Sequence, residues 1–365
     1  MSAIPLDLIV EILCQLPVKS LLRFRCLSKE FRSIIDDPDF IRRHHNACLE
    51  TNSNRRIIAT NNARTTLFSL DLDSAGDVVA AAKLPDLPIQ NWRYGLTSII
   101  GSCHGLLALS SHNHLCQITE VLWNISTNKL RILPRIPGEY SLDFIGGFGF
   151  GYDVASDDYK LVRIFWNQSS TKFIVYSLRA NSWRWIEDLP DYNSFYIFCQ
   201  GCGILVAGTL HWLWEREIDS REFIISFDLK SEKFYSVPMP DIASTTVGKW
   251  GTNTYDLEGC LCLSYNDGCE QVVDIWVMKE YNVKDSWTKL FSFSYLSLNI
   301  SASIPHIVES LFYSKTGENV FLILDNSRVI RHNMKKGKDE IVEVGGCPIH
   351  SFKVTISYVD SLVFL

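Results

Sequence analysis

The chain has 365 residues, 47% of them hydrophobic and 21% charged, with a formal net charge of −6. That is the composition of a globular protein long enough for one large domain and a small one. A net acidic surface repels nucleic acid and anionic lipid alike, so neither is expected as a partner. The longest apolar stretch, residues 201–214, is punctuated by glycine and carries His211. It is shorter than the roughly 20 apolar residues a membrane-spanning helix needs, so no membrane insertion is expected. Asp7 and Glu11 fall where the apolar core of a secretion signal would lie. Eleven cysteines, an odd and scattered set, then read as reduced thiols of a cytoplasmic and/or nuclear protein.

Residues 5–48 carry helical periodicity. In PLDLIVEILCQLP the apolar positions are Leu8, Ile9, Ile12, Leu13 and Leu16. Pro5 suits a first turn, Asp7 complements the positive helix N-terminus, and Pro17 stops the helix. A second helix is expected over 18–36, with Leu21, Leu22, Phe24, Leu27, Phe31, Ile34 and Ile35 on its apolar side. A third begins at Pro38 with Asp37 as its cap and Phe40 and Ile41 facing inward. His44 and His45 at its end are expected to be solvated. Three helices in so short a segment cannot enclose a sufficient core, so their apolar surface needs a lid. Either another protein or the rest of this chain supplies it.

The segment resembles an F-box of the plant type. The matching positions are Pro5, Leu8, Ile12, Leu13, Leu16, Pro17, Ser20, Leu21, Leu22, Arg25, Cys26, Ser28, Lys29, Ile34 and the run Asp37 to Phe40. Phe31 stands where the family usually has tryptophan. The resemblance implies docking onto a Skp-type adaptor, and through it onto a cullin and a RING subunit. Pro5, Leu8, Ile12, Leu16, Pro17, Leu21 and Leu22 are then the residues expected to meet the adaptor or to hold the helices that do.

Beyond a linker at 49–56, short runs rich in Val, Ile, Phe, Tyr and Trp alternate with Gly, Asn, Asp and Ser, which is strand-and-turn punctuation. One unit recurs: an apolar strand, a polar turn, and a strand running into proline. It appears as VLWNISTNKLRILP, as IVYSLRANSWRWIEDLP and as IISFDLKSEKFYSVPMP. The copies begin at Thr66, Val121, Ile174, Ile224, Ile275 and Val329, roughly fifty residues apart. Second strand pairs lie between them, at 148–165, 203–215, 257–267 and 310–325. Four strands in a kelch-length period make a propeller blade. The expected fold is therefore a small all-α module followed by an all-β, kelch-like propeller over 57–365 with six blades. Segment 57–84 supplies two strands of the first blade and 352–365 the other two, closing the ring and hiding its strand edges. Two stacked sheets in a sandwich are the alternative.

GSCHGLLAL (101–109), LWNISTNKLRILP and GFGFGYDVASDDYKLVRI resemble the F-box-associated domain of plant F-box proteins. The chain also resembles the plant F-box/kelch receptors, including those that restrain immune receptor levels. The resemblance thus implies a substrate receptor of a ubiquitin ligase whose target is a protein, an immune receptor being one candidate.

No catalytic residue and no cofactor are expected. Cys199 and Cys202 have CxxC spacing but lack a second pair for zinc, and they precede a strand instead of opening a helix. Cys260 and Cys262 alternate on one strand face. Asp157 and Asp158 read as turn residues. The loops joining one repeat to the next, at 85–95, 137–144, 190–198 and 240–252, emerge on one face of a propeller. They carry Trp92, Arg93, Tyr94, Tyr140, Phe144, Tyr192, Phe195, Tyr196 and Trp250. Aromatic and arginine side chains are what binding hot spots use, so this face is the expected target site. A scaffold outside any ligase, or a small-molecule-binding propeller with a helical cap, are the rival readings.

Overall fold

The computed structural model describes residues 5–51, 55–61, 64–71, 78–87, 89, 96–112, 118–138, 145–167, 170–186, 197–199, 201–216, 221–241, 252–266, 271–300, 308–314, 316–325, 328–345 and 352–363. The described N-terminal residues form α1 (Leu6–Cys14), α2 (Val18–Phe24), α3 (Lys29–Ile35) and α4 (Pro38–Glu50). These are four helices where the sequence reading expected three. The expected second helix breaks after Phe24, because the Ser28 hydroxyl accepts the Phe31 amide at 3.2 Å and starts a new helix. Arg25 and Asp36 then bridge the two pieces by a paired ion contact. The Asp37 carboxylate caps α4, accepting the amides of Asp39 and Phe40 at 2.8 and 3.1 Å. Phe31 packs on Phe24 with ring centres 5.6 Å apart, so the aromatic replacement keeps its contact.

The strands follow in order. β1 (Arg55–Asn61), β2 (Leu67–Asp71) and β3 (Val78–Lys83) come first. β4 (Leu96–Cys103), β5 (Leu106–His112), β6 (Ile118–Asn124) and β7 (Lys129–Ile132) form the next run, then β8 (Ile145–Asp153), β9 (Asp158–Asn167), β10 (Ser170–Ser177) and β11 (Ser182–Ile186). β12 (Ile197–Cys199) and β13 (Cys202–Val206) both pair with β14 (Thr209–Arg216), which leads to β15 (Arg221–Asp228) and β16 (Lys233–Val237). β17 (Asn253–Leu257), β18 (Cys260–Asn266), β19 (Val272–Met278) and β20 (Trp287–Ser294) follow. β21 (Val308–Tyr313), β22 (Asn319–Leu324), β23 (Arg328–Asn333), β24 (Lys338–Gly345) and β25 (Phe352–Val359) complete the chain.

Within the runs successive strands pair antiparallel, except that β12 and β13 share β14 and β25 pairs with β1, and short parallel contacts join β13 to β8 and β24 to β3. The leading strands touch in a circuit: β25 meets β4, β4 meets β8, β8 meets β13, β13 meets β17, β17 meets β21, and β21 meets β25. Such a circuit is not a pair of stacked sheets. β25 pairs antiparallel with β1, with Ile57 opposite Ser357 and Ile58 opposite Ile356, so the two ends of the β region lie side by side. The division of labour differs from the one expected. Residues 55–83 provide three strands and the C-terminal segment one, because Arg55–Asn61 is a strand and the chain past Val359 leaves the sheet. β1 was obscured by its two arginines and by sitting where a linker was expected.

The proline that ends each repeat has a physical use. Trp183 Nε1 donates to the Pro134 carbonyl at 2.8 Å, and Trp287 Nε1 donates to the Pro238 carbonyl at 2.8 Å. An outer-strand tryptophan thereby ties itself to the end of the preceding repeat. The polar turns hold left-handed residues at the same place, Asn128 at φ 54° and Asn181 at φ 50°, a conformation asparagine tolerates. Gly203 lies where an added Cβ would come within 2.5 Å of the Trp212 ring, which explains a glycine inside a strand. Cys260 and Cys262 share one face of β18 against a common apolar cluster, as their alternation predicts. Asp157 is left-handed in the β8–β9 turn, while Asp158 accepts the Arg179 amide at 2.8 Å, so both are structural.

Candidate functional site

The helical module leaves apolar side chains uncovered on α1. Leu6, Leu8 and Ile12 are 59%, 49% and 57% exposed, and Leu27 after α2 is 68% exposed. Leu8 and Ile12 are one turn apart and share a helix face. Pro5 and Pro17, at the two ends of this helix, are exposed too. Leu16 and Leu22 are half-buried. Leu21 is fully buried with Leu13, Val18, Ile35, Phe40 and Ile41. Leu21 therefore packs inside the helical module. Leu6 belongs to the exposed surface too, and Leu27, expected on the apolar side of a second helix, lies uncovered in the break between α2 and α3, because apolar spacing alone does not say which side of a two-sided helix is covered.

His44 and His45 are buried, not solvated. His44 Nε2 donates to the Leu16 carbonyl at 2.9 Å, pinning the end of α1 to α4. The His45 ring meets His104 edge-on at 4.8 Å, and His104 packs in turn on Tyr152 and Tyr159. His104 and Gly105 form the β4–β5 turn, both with positive φ, so the GSCHGLLAL motif builds the face on which the helices rest. Burial lowers the His45 pKa from 6.5 to about 3, helped by the neighbouring His104 and His44. Above pH 6.5 both folded and unfolded states hold a neutral ring and this contribution is constant. As pH falls from 6.5 toward 3 the unfolded state takes up a proton that the folded state refuses. Stability should then drop by about 1.4 kcal/mol per pH unit from this group. Urea midpoints between pH 6.5 and 5 should show a shallower slope for His45→Gln than for the parent chain.

β4 begins at Leu96 and ends at Cys103, beside the helices. An eight-residue strand spans about 26 Å, so the Leu96 end of β4 lies about that far from the end beside the helices. Trp92, Arg93, Tyr94, Tyr140, Phe144, Tyr192, Phe195, Tyr196 and Trp250 themselves lie outside the described residues.

The leading strands surround a cavity of about 220 Å³, lined by Ile99, Cys202, Asn253, Tyr255, Ser310 and Ser357 among others. The Cys202 thiol donates to the Ile99 carbonyl at 2.8 Å, and burial pushes its pKa up to about 12. That is the opposite of an activated thiolate. Among the described residues no three His, Cys, Asp or Glu side chains converge to hold a metal ion, and no helix is long and apolar enough to cross a membrane.

Residues 1–43 match the model of the F-box domain, and residues 55–365 match that of the F-box associated beta propeller domain. The F-box protein CPR1 of Arabidopsis thaliana is 32% identical, over 95% of this chain and 86% of its own. An F-box/kelch-repeat protein of the same plant is 30% identical over 79% of each chain. Among solved structures, TolB from Acinetobacter baumannii shares the fold with a TM-score of 0.51 at 10% identity, covering 84% of this chain and 67% of that one.

Proposed function

Since the chain belongs to the family of plant F-box proteins that carry an F-box-associated β-propeller domain, we propose that it is the substrate-recognition subunit of a Skp–cullin–F-box ubiquitin ligase. The helices dock a Skp-type adaptor, which brings a cullin and a RING subunit. The propeller holds a target protein for ubiquitination and degradation. One observation carries the reading: within the segment that matches the F-box, the α1 face bearing Leu8 and Ile12 is apolar and uncovered. A specific interface buries upward of about 1,000 Å², and an apolar helix face flanked by Pro5 and Pro17 is a natural centre for one.

The adaptor-binding helical unit is proposed over 1–48 and the target-binding unit over 57–365, with a linker at 49–56 between them. Six blades are proposed for the propeller, supported by the circuit of six leading strands and by the fifty-residue repeat. Catalysis is proximity: the receptor sets the target beside a charged ubiquitin carrier and contributes no reacting group. The loops at 85–95, 137–144, 190–198 and 240–252 are the proposed target face. A plant immune receptor is the first target class to test, given the resemblance to receptors that restrain such proteins. The cytoplasm and nucleus are the proposed compartments.

Expressing Leu8→Asp in plant cells should separate the two ends. The variant should lose the adaptor, retain its target, and make that target accumulate. The parent chain should do the same to its target only when the proteasome is inhibited. A parent chain that never co-purifies with a Skp-type adaptor overturns the reading.

A further inference from the structure

Two domains joined by a short connection ordinarily move against each other unless a substantial interface holds them. Here the segment past β25 forms such a hold. We propose that residues 360–363 are a clamp that fixes the helical module on the propeller in one orientation.

The segment faces two ways. Leu362 is 1% exposed and sits in the helical core with Leu13, Leu21, Phe40 and Ile41. The polar groups beside it grip the sheet. The Asp360 carboxylate takes Arg56 Nη2 at 2.8 Å and the Ser126 hydroxyl at 2.6 Å. Arg56 lies on β1, just past the connection from the helices, and Ser126 lies in the β6–β7 turn. Asn124 Nδ2, fully buried, donates to the carbonyls of Ser361 and Val363 at 3.1 and 2.9 Å. The Ser361 hydroxyl donates to the His104 carbonyl at 2.7 Å, in the same turn that presents the His104 ring to His45. Gly105 has φ +73°, and a Cβ there would lie 2.2 Å from Ser361 Oγ, so the turn is shaped around this serine.

An apolar plug alone would let the module pivot, because apolar contact has no direction. Hydrogen bonds from three sides do have direction, and they fix how Leu362 enters the helices. The clamp thus ties α1, β1 and the β4–β7 run into one body. If the receptor reading holds, it also fixes the spacing between adaptor and target loops. That consequence rests on the reading; the clamp itself does not.

The test is a distance measurement on the full chain. Spin labels carried by non-natural amino acids at exposed Glu30 and Lys233 report the separation of helices and propeller. The parent chain should give one narrow distance distribution. Leu362→Ser should at least double its width. Because Leu362→Ser also touches the helical core, the deciding variant is Asp360→Ala with Asn124→Ala, which leaves every helical contact of the cluster in place. It too should double the width while far-ultraviolet dichroism stays native. A broad distribution in the parent chain, or an unchanged one in the double variant, overturns the clamp. Adaptor capture by the parent chain is scored separately, so failure of the receptor reading and failure of the clamp are told apart.

Discussion

Deleting residues 346–365 should collapse the β domain. The deletion removes β25, and with it the partner of β1 along Arg55–Ala59. Ile57, Ile58 and Ala59 are buried at 1%, 0% and 0%, and their strand would become an open edge. Tyr358 is buried and bonded on both sides, donating to the Gly105 carbonyl at 2.8 Å and accepting the Ile125 amide at 3.2 Å. Losing buried side chains of the size of Tyr358 and Leu362 costs about 3 kcal/mol or more each. The sum is a large share of the ~5–15 kcal/mol that holds a domain folded. Expected results are loss of soluble expression or a melting temperature lower by about 10 °C or more. Deleting only 360–365 should cost less, because β25 stays. A chain without 346–365 that melts within about 2 °C of the parent would show that the ends do not seal the β domain.

The second large effect is expected at Glu120. Arg163 on β9 is fully buried and forms an ion pair with Glu120 on β6, which is 4% exposed on its side chain. Arg163 Nη2 also donates to the Ser110 hydroxyl at 2.7 Å, and the guanidinium lies 4.9 Å from the centre of the Phe148 ring. The pair thus joins the β4–β7 run to the β8–β11 run. Glu120→Ala would leave a buried cation uncompensated, which costs about 3–5 kcal/mol. Replacing both partners, Glu120→Leu with Arg163→Met, should be close to neutral, since two desolvation costs disappear together with one attraction. Urea unfolding of the three proteins decides. Equal loss in the single and the double variant would mean that packing, not charge, sets the cost.

Legibility from sequence followed the range of the contacts. Helix caps, strand periodicity and the proline-ended repeat are local, and they predict where elements lie. Pairing between β1 and β25 is readable as well, because an apolar segment such as FKVTISYVDSLVFL needs a partner. The break at Ser28 was missed because Leu27 and Phe31 continue the helical spacing across it, and the cap shows only in the Phe31 amide bond. The burial of His44 and His45 is not legible locally, because it comes from Leu16 and from His104, distant in the chain. The DSLV segment carries strand spacing, and nothing local tells a Leu362 paired in a sheet from one inserted among helices. The exposed face of α1 was found by resemblance, whereas spacing alone gave Leu8 and Leu13 equal weight. Only the three-dimensional arrangement separates them, Leu8 outward and Leu13 inward.

The account stands on the uncovered face of α1 being a docking surface. Titration calorimetry of the purified full chain with a plant Skp-type adaptor tests it most directly. One-to-one binding is expected, and Leu8→Asp with Ile12→Asp should weaken it by at least about thirtyfold, the equivalent of a ~2 kcal/mol interface hot spot. Both side chains are exposed, so the melting temperature should not change. A parent chain that does not bind, or a variant that binds as tightly as the parent, would contradict it.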